Sequence, residues 1–363
     1  MFYSTFEAVE AFLFVTDKVT FKGSHIRDGI DMKRTMFTVI IALVPALLFG
    51  IYNIGLLHFQ SIGEEASFWP IIWFGFLKIL PIIIVSYGVG LGVELFFCQV
   101  RGHDIQEGYF VTGLLIPMIV PIDVPLWQLA LAIIFAVVIG KEVFGGSGMN
   151  IMNPALLARA FLFFSYPKWM SGDTVWVEGL TKGEGVIDGF SGATPLAEAA
   201  AYKMDNLPSV MEMFIGTIPG SVGETSTLAI LLGAIILIFT GVGSWKIIVS
   251  VIAGGMGMGL LLNAFAVNPF MEMPAYYHLI IGGFAFGAVF MATDPVTACQ
   301  TEKGKWIYGF LIGILAVMIR VLNPAFPEGM MLAILFMNVF APLIDHYIVE
   351  SNIRKRLKRA VSE

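Results

Sequence analysis

The stretch TMFTVIIALVPALLFGIYNIGLL (residues 35–57) determines the fold class, because it contains no charged side chain. About 20 apolar residues are enough for a helix to cross the hydrocarbon core of a bilayer. The rest of the 363-residue chain is similar, since 57% of its residues are hydrophobic and only 13% are charged. Soluble domains carry about a quarter of their residues as charge. The sequence therefore predicts an all-α, polytopic membrane protein.

Apolar runs of this kind divide the chain into ten predicted spans, and the Pro and Gly residues inside them are tolerated by membrane helices. A polar segment at 167–225 separates two groups of five spans. Residues 1–34 are predicted to be an amphipathic lead-in, and residues 350–363 a basic tail. The ten spans are predicted at about 35–57, 71–97, 109–121, 124–140, 154–166, 226–243, 246–266, 277–292, 305–322 and 328–349.

The distribution of Lys and Arg predicts the orientation, because these residues concentrate in loops that face the cytoplasm. Ten spans place both termini on one side, and both termini are basic. The opposite loops, at 58–70, 121–125 and 267–276, contain no Lys or Arg. Arg320, near an outer end, is the exception. We therefore expect both termini inside and the polar 167–225 loop outside.

Two copies of one pattern indicate an internal duplication. Trp127 leads an apolar run to Asn-Pro-Ala at 153–155, and Trp306 leads another to Asn-Pro-Ala at 323–325. Two halves of five spans must have opposite orientations, and inverted repeats with broken helices typically bind ligands near the midplane at their interface. Asn caps helices and Pro suits the first helical position, so each Asn-Pro predicts a helix start that can face an electron-rich ligand.

The polar loop contains the most specific local string, DGFSGAT at residues 188–194. Small residues before Thr194 leave its hydroxyl accessible to another enzyme, and Asp188 lies six positions upstream. On loop chemistry alone, a Gly-rich surface turn is the favoured interpretation.

This string resembles the flavinylation motif, Asp-x-x-Ser/Thr-Gly-Ala-Thr, of membrane redox subunits. Nearly the whole chain is similar to the family that includes the B-subunit of the Na+-translocating NADH:quinone oxidoreductase and RnfD of the related Rnf complex. VESNIRKR at 349–356 fits the B-subunit better, whereas Pro195 is closer to RnfD. The other similar strings are SHIRD at 24–28, KEVFGG at 141–146, RAFLFF at 159–164, IPGS at 218–221, FMATDP at 290–295 and NPAFPEGMM at 323–331.

The resemblance implies two flavins. Thr194 would bear FMN through a phosphoester, attached by a separate flavin transferase outside the membrane. Riboflavin would bind non-covalently near the first Asn-Pro-Ala turn, where Asn150 and Asn153 match family positions. Asn amides offer the donors and acceptors that a flavin's polar edge needs. Helix capping is the alternative role for both Asn residues.

The resemblance also implies sites for sodium and quinone. Ionisable residues inside membrane spans are costly and are therefore functional candidates. Glu94 and Asp345 match places where the family uses acids in Na+ handling, with an interfacial carboxylate as the alternative for each. Gly90 lies in the region near the family's ubiquinone site, with close helix packing as the commoner alternative. Asp294 is equally expected to be a turn residue or a ligand.

We therefore expect a membrane subunit of a redox-driven sodium pump in the bacterial inner membrane. It would pass electrons from FMN through riboflavin to ubiquinone, within an NADH:ubiquinone reductase complex that exports Na+. The chain contains no Gly-x-Gly-x-x-Gly fingerprint and no cysteine cluster, so other subunits must supply the electrons. A component of an Rnf-type ferredoxin:NAD oxidoreductase and a channel or transporter without redox chemistry remain alternatives, since fold alone does not determine function.

Neither nucleic-acid binding nor a cysteine metal site is indicated by the sequence. No stripe of Lys and Arg with interleaved aromatic residues is present, which argues against nucleic acid. Cys98 and Cys299 lack metal-ligand spacing and are expected to be ordinary buried thiols.

Overall fold

The computed structural model describes residues 20–24, 32–101, 107–181, 183, 187, 190–323 and 326–361, and these residues contain helices and no strand. Most of the predicted 1–34 segment, Asp188 and Gly189 of the DGFSGAT string, and Pro324 and Ala325 of the second Asn-Pro-Ala lie outside these ranges. The longer helices are α1 (Met32–Ile62), α2 (Phe68–Arg101), α3 (Gly108–Ile119), α4 (Leu126–Gly140), α5 (Pro154–Ser165), α6 (Thr227–Phe239), α7 (Trp245–Phe265), α8 (Glu302–Leu322) and α9 (Met330–Val361).

These helices fall into two length classes. Six are long and apolar enough to cross a membrane, namely α1, α2, α4 with the turn after it, α7, α8 and α9. Helices α3, α5 and α6 have only 12, 12 and 13 residues. At 1.5 Å per residue they span about 18–20 Å, well short of a bilayer core of about 30 Å. The predicted polytopic fold with broken helices is thus confirmed.

Nine of the ten predicted spans correspond to α1–α9, and the remaining span is broken. The span predicted at 277–292 consists of short helices at Tyr277–Ile280 and Phe284–Phe286 and a π-helical turn at Gly287–Met291. Gly282 interrupts them with a left-handed backbone (φ +64°), which favours glycine. Helix α9 also continues beyond the predicted boundary at 350, so the basic tail is the exposed end of this helix. Cations at a helix C-terminus are favourable to its dipole.

Side-chain caps define where α5, α6 and α8 start. Asn153 begins α5, with Pro154 in the first helical position. Ser226 begins α6, and its Oγ accepts a hydrogen bond from the Ala229 N–H (3.2 Å). Thr301 begins α8, where its Oγ1 accepts from the Gly304 N–H (3.1 Å). These caps satisfy N–H groups that a membrane interior cannot hydrate.

The contacts between helices follow the duplication. In the first half α2 packs on α4 and α4 on α5, and in the second half α7 packs on α8 and α8 on α9. Between the halves, the two first helices, α1 and α6, pack together, and the two last helices, α5 and α9, also touch. Corresponding helices therefore form the interface, as expected of two related repeats.

The polar segment between the halves is fastened to the end of the α1–α2 hairpin. The Nδ1 atom of His58 donates to the Glu178 carbonyl oxygen (2.9 Å). Lys78 forms an ion pair with the Glu178 carboxylate (2.5 Å), and the Ile187 N–H donates to the Ser61 carbonyl (2.9 Å). Short helices at Pro195–Ala200 and Val210–Ile215 complete this segment.

Close packing of α7 on α8 gives a stability prediction. A Cβ atom on Gly254 would lie 2.2 Å from the Phe310 carbonyl oxygen, whereas a Cβ on Gly257 would meet nothing within 4 Å. We expect Gly254→Val to lower the free energy of unfolding by about 1–3 kcal/mol because the helices must separate. Gly257→Val, on the same helix, is the matched control. Thermal unfolding in detergent measures both, and equal melting temperatures for the two variants would contradict the packing argument.

Candidate functional sites

Two cavities lie at different levels of helix α5. The inner cavity is at its N-terminus and is lined by Asn150, Asn153 and Asp294. The outer cavity is lined by Arg159, which lies further along α5, and by Thr194 of the polar segment. Six residues of α-helix correspond to about 9 Å along the axis. One short, buried helix therefore connects the two regions that the sequence predicted to hold flavins.

Thr194 is half-buried and starts the Pro195–Ala200 helix. Its Oγ1 accepts a hydrogen bond from the Ala197 N–H (3.1 Å). A hydroxyl has one donor and two acceptor sites, so this bond leaves the O–H itself unused. Thr194 donates no hydrogen bond to another residue that the structure describes. The hydroxyl is therefore held in place and is open to substitution at the cavity wall.

Arg159, Glu224 and Glu328 form a cluster of charged side chains in the cavity that Thr194 also lines. The Nη1 atom of Arg159 is 2.5 Å from Oε1 of Glu224 and 2.7 Å from Oε1 of Glu328. The Ser221 hydroxyl donates to the other oxygen of Glu224. Buried charges are stable only when they are paired and hydrogen-bonded, as Arg159 and Glu224 are, and the Glu328 carboxylate is paired with the same guanidinium.

Arg320 belongs to the same cluster. It is fully buried, and it donates to the carbonyl oxygens of His278 (2.8 Å) and Glu328 (3.4 Å). This position explains why Arg320 departs from the loop-charge pattern. Its guanidinium is enclosed by the protein and does not contribute to the charge of an outer loop.

In the inner cavity, Asn153 has the capping role that was the alternative to ligand binding. Its Oδ1 accepts from the N–H groups of Ala155 (3.0 Å) and Leu156 (3.3 Å). Its Nδ2 donates to Oδ2 of Asp294 (3.3 Å). Asn150 uses only its Nδ2, which donates to the Met152 carbonyl (3.1 Å). Asn150 therefore keeps more hydrogen-bonding capacity for a ligand than Asn153 does.

Asp294 is a turn residue that also lines the inner cavity. Its Oδ1 accepts from the Val296 N–H (3.1 Å), and its Oδ2 accepts from the Thr297 hydroxyl (2.9 Å). The turn role weighed from the sequence is observed, and the same carboxylate also fixes the Asn153 amide, whereas a ligand role stays a prediction. The sequence alone did not connect Asp294 with the first Asn-Pro-Ala turn.

Glu94 is buried and does not have the interfacial position that was its alternative. Only 2% of Glu94 is exposed, and its carboxylate forms an ion pair with Lys141, which is 3% exposed. Lys141 also lines the inner cavity. Beside this pair, Arg101 binds the Glu142 carboxylate (3.2 Å) and carbonyl (2.6 Å). The positive charge next to Glu94 is therefore supplied by the protein itself.

Asp345 fastens α9 to the start of α8. Its carboxylate accepts hydrogen bonds from the N–H groups of Gln300 (2.7 Å) and Thr301 (3.0 Å) and from the Thr301 hydroxyl (2.5 Å). Within the described ranges, no group of three or more His, Cys, Asp or Glu side chains is arranged to hold a metal ion. Cys98 and Cys299 are buried and are not joined in a disulfide.

Gly90 has a clear packing role. A Cβ atom at this position would lie 1.7 Å from Oη of Tyr109, which donates to the Ser86 carbonyl (2.8 Å). Helices α2 and α3 can approach each other this closely only if residue 90 lacks a side chain. The helix-packing alternative thus accounts for Gly90, and its place near a quinone stays a prediction.

Comparison with known proteins assigns this architecture to a family. The model of the NQR2, RnfD, RnfE family matches residues 19–354. The chain belongs to this family. A relative from Ectopseudomonas mendocina, named as the B-subunit of the Na(+)-translocating NADH-quinone reductase, is 49% identical over 99% of this chain and 94% of the relative. Relatives of the same name from Chromohalobacter salexigens and Azotobacter vinelandii are 48% and 47% identical, over 99% of this chain and 92% and 94% of their own lengths.

Several residues that shape the cavities were not singled out as candidates from the sequence. Arg159 lies inside the predicted span at 154–166, and Glu224 lies at the edge of the polar loop. The rule that ionisable residues in spans are functional candidates applies to Arg159 directly. Glu328 and Lys141 lie at or beyond the ends of predicted spans, and only their ion pairs in the structure identify them.

Proposed function

We propose that this chain is the B-subunit of a Na+-translocating NADH:ubiquinone reductase, the membrane component that carries electrons from covalent FMN through riboflavin to ubiquinone while Na+ is exported. Relatives that bear this name cover nearly the whole chain. The single observation that carries the proposal is Thr194, whose unused hydroxyl lies on the wall of a cavity built from both halves. A bound flavin supplies electron transfer, and the protein supplies attachment, orientation and electrostatics.

The outer cavity suits a flavin by its chemistry. Its walls combine the aromatic side chains of Phe163, Trp176 and Phe326 with a few polar groups, as cofactor pockets usually do. Thr225 also lines it, and the buried Thr225 Oγ1 has no hydrogen-bond partner among the described residues. An unmatched buried polar atom beside an aromatic wall is consistent with a ligand that has a flat ring and a polar edge. The Thr194 oxygen would form the phosphoester, made by a separate flavin transferase.

The inner cavity is the proposed place for riboflavin. Asn150 offers its Oδ1 and an N–H, and Asn153 is held rigid by its cap and by Asp294. A rigid amide orients a ligand without the entropy loss of ordering a mobile side chain. Asn150 would therefore hold the polar edge, and Asn153 would fix the shape of the turn.

Topology agrees with this assignment. Thr194 lies in the segment that the charge pattern puts outside, whereas Lys141 and the start of α1 line the inner cavity. We propose a bacterial inner-membrane location, with the polar segment in the periplasm and both termini in the cytoplasm. The other subunits of the complex would supply electrons, because this chain has no nucleotide fingerprint or cysteine cluster. An RnfD-type role is the second candidate, and the names of the relatives favour the NADH-quinone reductase.

The covalent site has a direct test. The purified complex is denatured, run on a gel and viewed under ultraviolet light. We expect a fluorescent band for this chain and a dark band for Thr194→Val, because Val cannot form the phosphoester. Thr174→Val, which removes an exposed hydroxyl of the same segment, should stay fluorescent. A dark wild-type band from cells that contain the transferase would refute the flavoprotein proposal, and a fluorescent Thr194→Val band would refute the attachment site.

The riboflavin site is tested by flavin content. We expect Asn150→Leu to reduce the riboflavin released from the complex by acid several-fold, because the lost amide held the ring's polar edge. Covalent FMN should stay at the wild-type level in this variant. Asn206→Leu, at an exposed asparagine of the polar segment, is the control. Riboflavin at the wild-type level in Asn150→Leu, measured by chromatography, would remove Asn150 from the site.

The sodium proposal is tested at Asp345. We expect Asp345→Ala and Asp345→Asn to weaken Na+ stimulation of quinone reduction, since both remove a charge that a hard cation prefers. Gln300 and Thr301 bind different oxygens of Asp345, and Asn keeps only one of them, so Asp345→Asn retains part of the anchoring that Asp345→Ala loses entirely. Glu302→Gln, at an exposed acid that also starts α8, is the control. Unchanged sodium dependence in both Asp345 variants would exclude this residue from the ion path.

A further inference from the structure

The charge cluster of the outer cavity holds more donors than the protein uses. Both ion pairs of Arg159 involve Nη1. A guanidinium carries five N–H donors. No hydrogen bond joins its Nη2 or Nε to a residue that the structure describes, and Arg159 lines the cavity, so these N–H groups are available to a ligand there. A donor that faces a cavity without a protein partner is completed by a ligand or by water.

Arg159 is held in one orientation by its neighbours. Glu224 and Glu328 bind the same nitrogen, and Ser221 fixes the far oxygen of Glu224. Gly283 makes room for this arrangement, because a Cβ there would lie 2.5 Å from Oε1 of Glu224. The unused N–H groups of Arg159 are thus preorganised, which lowers the entropic cost of binding a ligand.

A second unmatched group comes from the end of the polar segment. Thr225 is 4% exposed, and its Oγ1 has no hydrogen-bond partner in the described part of the chain. It directly precedes Ser226, the cap of α6, and it lines the same cavity as Arg159 and Thr194. The first half and the polar segment therefore contribute one polar group each to a single cavity.

The remaining wall is aromatic. The rings of Phe163 and Phe326 pack edge to face with centroids 4.4 Å apart, and Trp176 lines the cavity with them. Aromatic side chains provide a large apolar surface for a flat ring. A flat ligand with one polar edge would satisfy both walls at once.

We propose that the isoalloxazine ring attached to Thr194 lies in this cavity with its polar edge at Arg159 and Thr225, and that Arg159 is a positioning residue that raises the flavin's midpoint potential. This inference rests on the proposed attachment at Thr194. Reduction adds electron density to the pyrimidine edge of a flavin, and charge near that edge tunes the potential. Glu224 and Glu328 carry two formal negative charges, which Arg159 and Arg320 balance, so the charge that Arg159 presents to the ring depends on how firmly the carboxylates hold Nη1.

The test uses the purified complex with three substitutions. Arg159→Lys keeps the charge and loses the planar donor set, Thr225→Val removes only the hydroxyl, and Thr225→Ser restores it. Gel fluorescence first establishes that the flavin is attached. The midpoint potential of the covalent flavin is then obtained from the difference between redox titrations of each complex and of Thr194→Val. Thr174→Val, outside the cavity lining, is the control.

We expect all four complexes to fluoresce, with lower midpoint potentials for Arg159→Lys and Thr225→Val and wild-type values for Thr225→Ser and Thr174→Val. A wild-type potential in a fluorescent Thr225→Val complex would overturn the inference while leaving the attachment intact. If Arg159→Lys does not assemble, the comparison of Val with Ser at residue 225 still decides whether the polar edge of the ring lies in this cavity. A dark wild-type band would instead refute the proposed function itself.

Discussion

The ion pairs of Arg159 with Glu224 and Glu328 connect parts of the chain that no helix connects directly. Arg159 belongs to α5 of the first half, Glu224 lies just before α6, and Glu328 lies just before α9. Removing one partner from a buried ion pair typically costs about 3–5 kcal/mol, because a charge is left uncompensated. The positions of three helices therefore depend on one guanidinium, and the outer cavity takes its shape from the same contact.

Short helices make this arrangement possible inside a membrane protein. A helix such as α5, with 12 residues, ends within the bilayer and must have its free N–H groups satisfied there. Asn153 satisfies two of them at the inner cavity, and α4 and α9 pack against α5. Full-length spans would place charged residues such as Arg159 against lipid or at a distant surface. Broken helices bring Arg159 to an enclosed site between the halves.

The sequence predicted the helices well and the sites only in part. Apolar runs and Asn-Pro pairs located nine helices, because lipid imposes one strong rule on every span. The string at 188–194 and the resemblance it carries pointed to Thr194, and the structure places Thr194 on a cavity wall. Glu224 is 65 positions from Arg159 in the sequence, and Glu328 is further still. Pairing over such distances depends on tertiary packing, which local patterns do not encode. Gly90 is the opposite case. The resemblance predicted a place near a quinone, but the close approach of Tyr109 is enough to explain a glycine at this position.

The two candidate sodium residues constrain how an ion could use this chain. Lys141 already places a positive charge on Glu94, and Asp345 is occupied by hydrogen bonds from Gln300 and Thr301. A sodium ion at Glu94 would place a second cation beside Lys141, which is unfavourable in a buried site. Ion binding there requires Lys141 to move away from Glu94. Lys141 also lines the inner cavity, so a change of charge in that cavity acts on the cation paired with Glu94. The predicted sodium site at Glu94 would therefore be linked to the charge of the inner cavity through this one side chain.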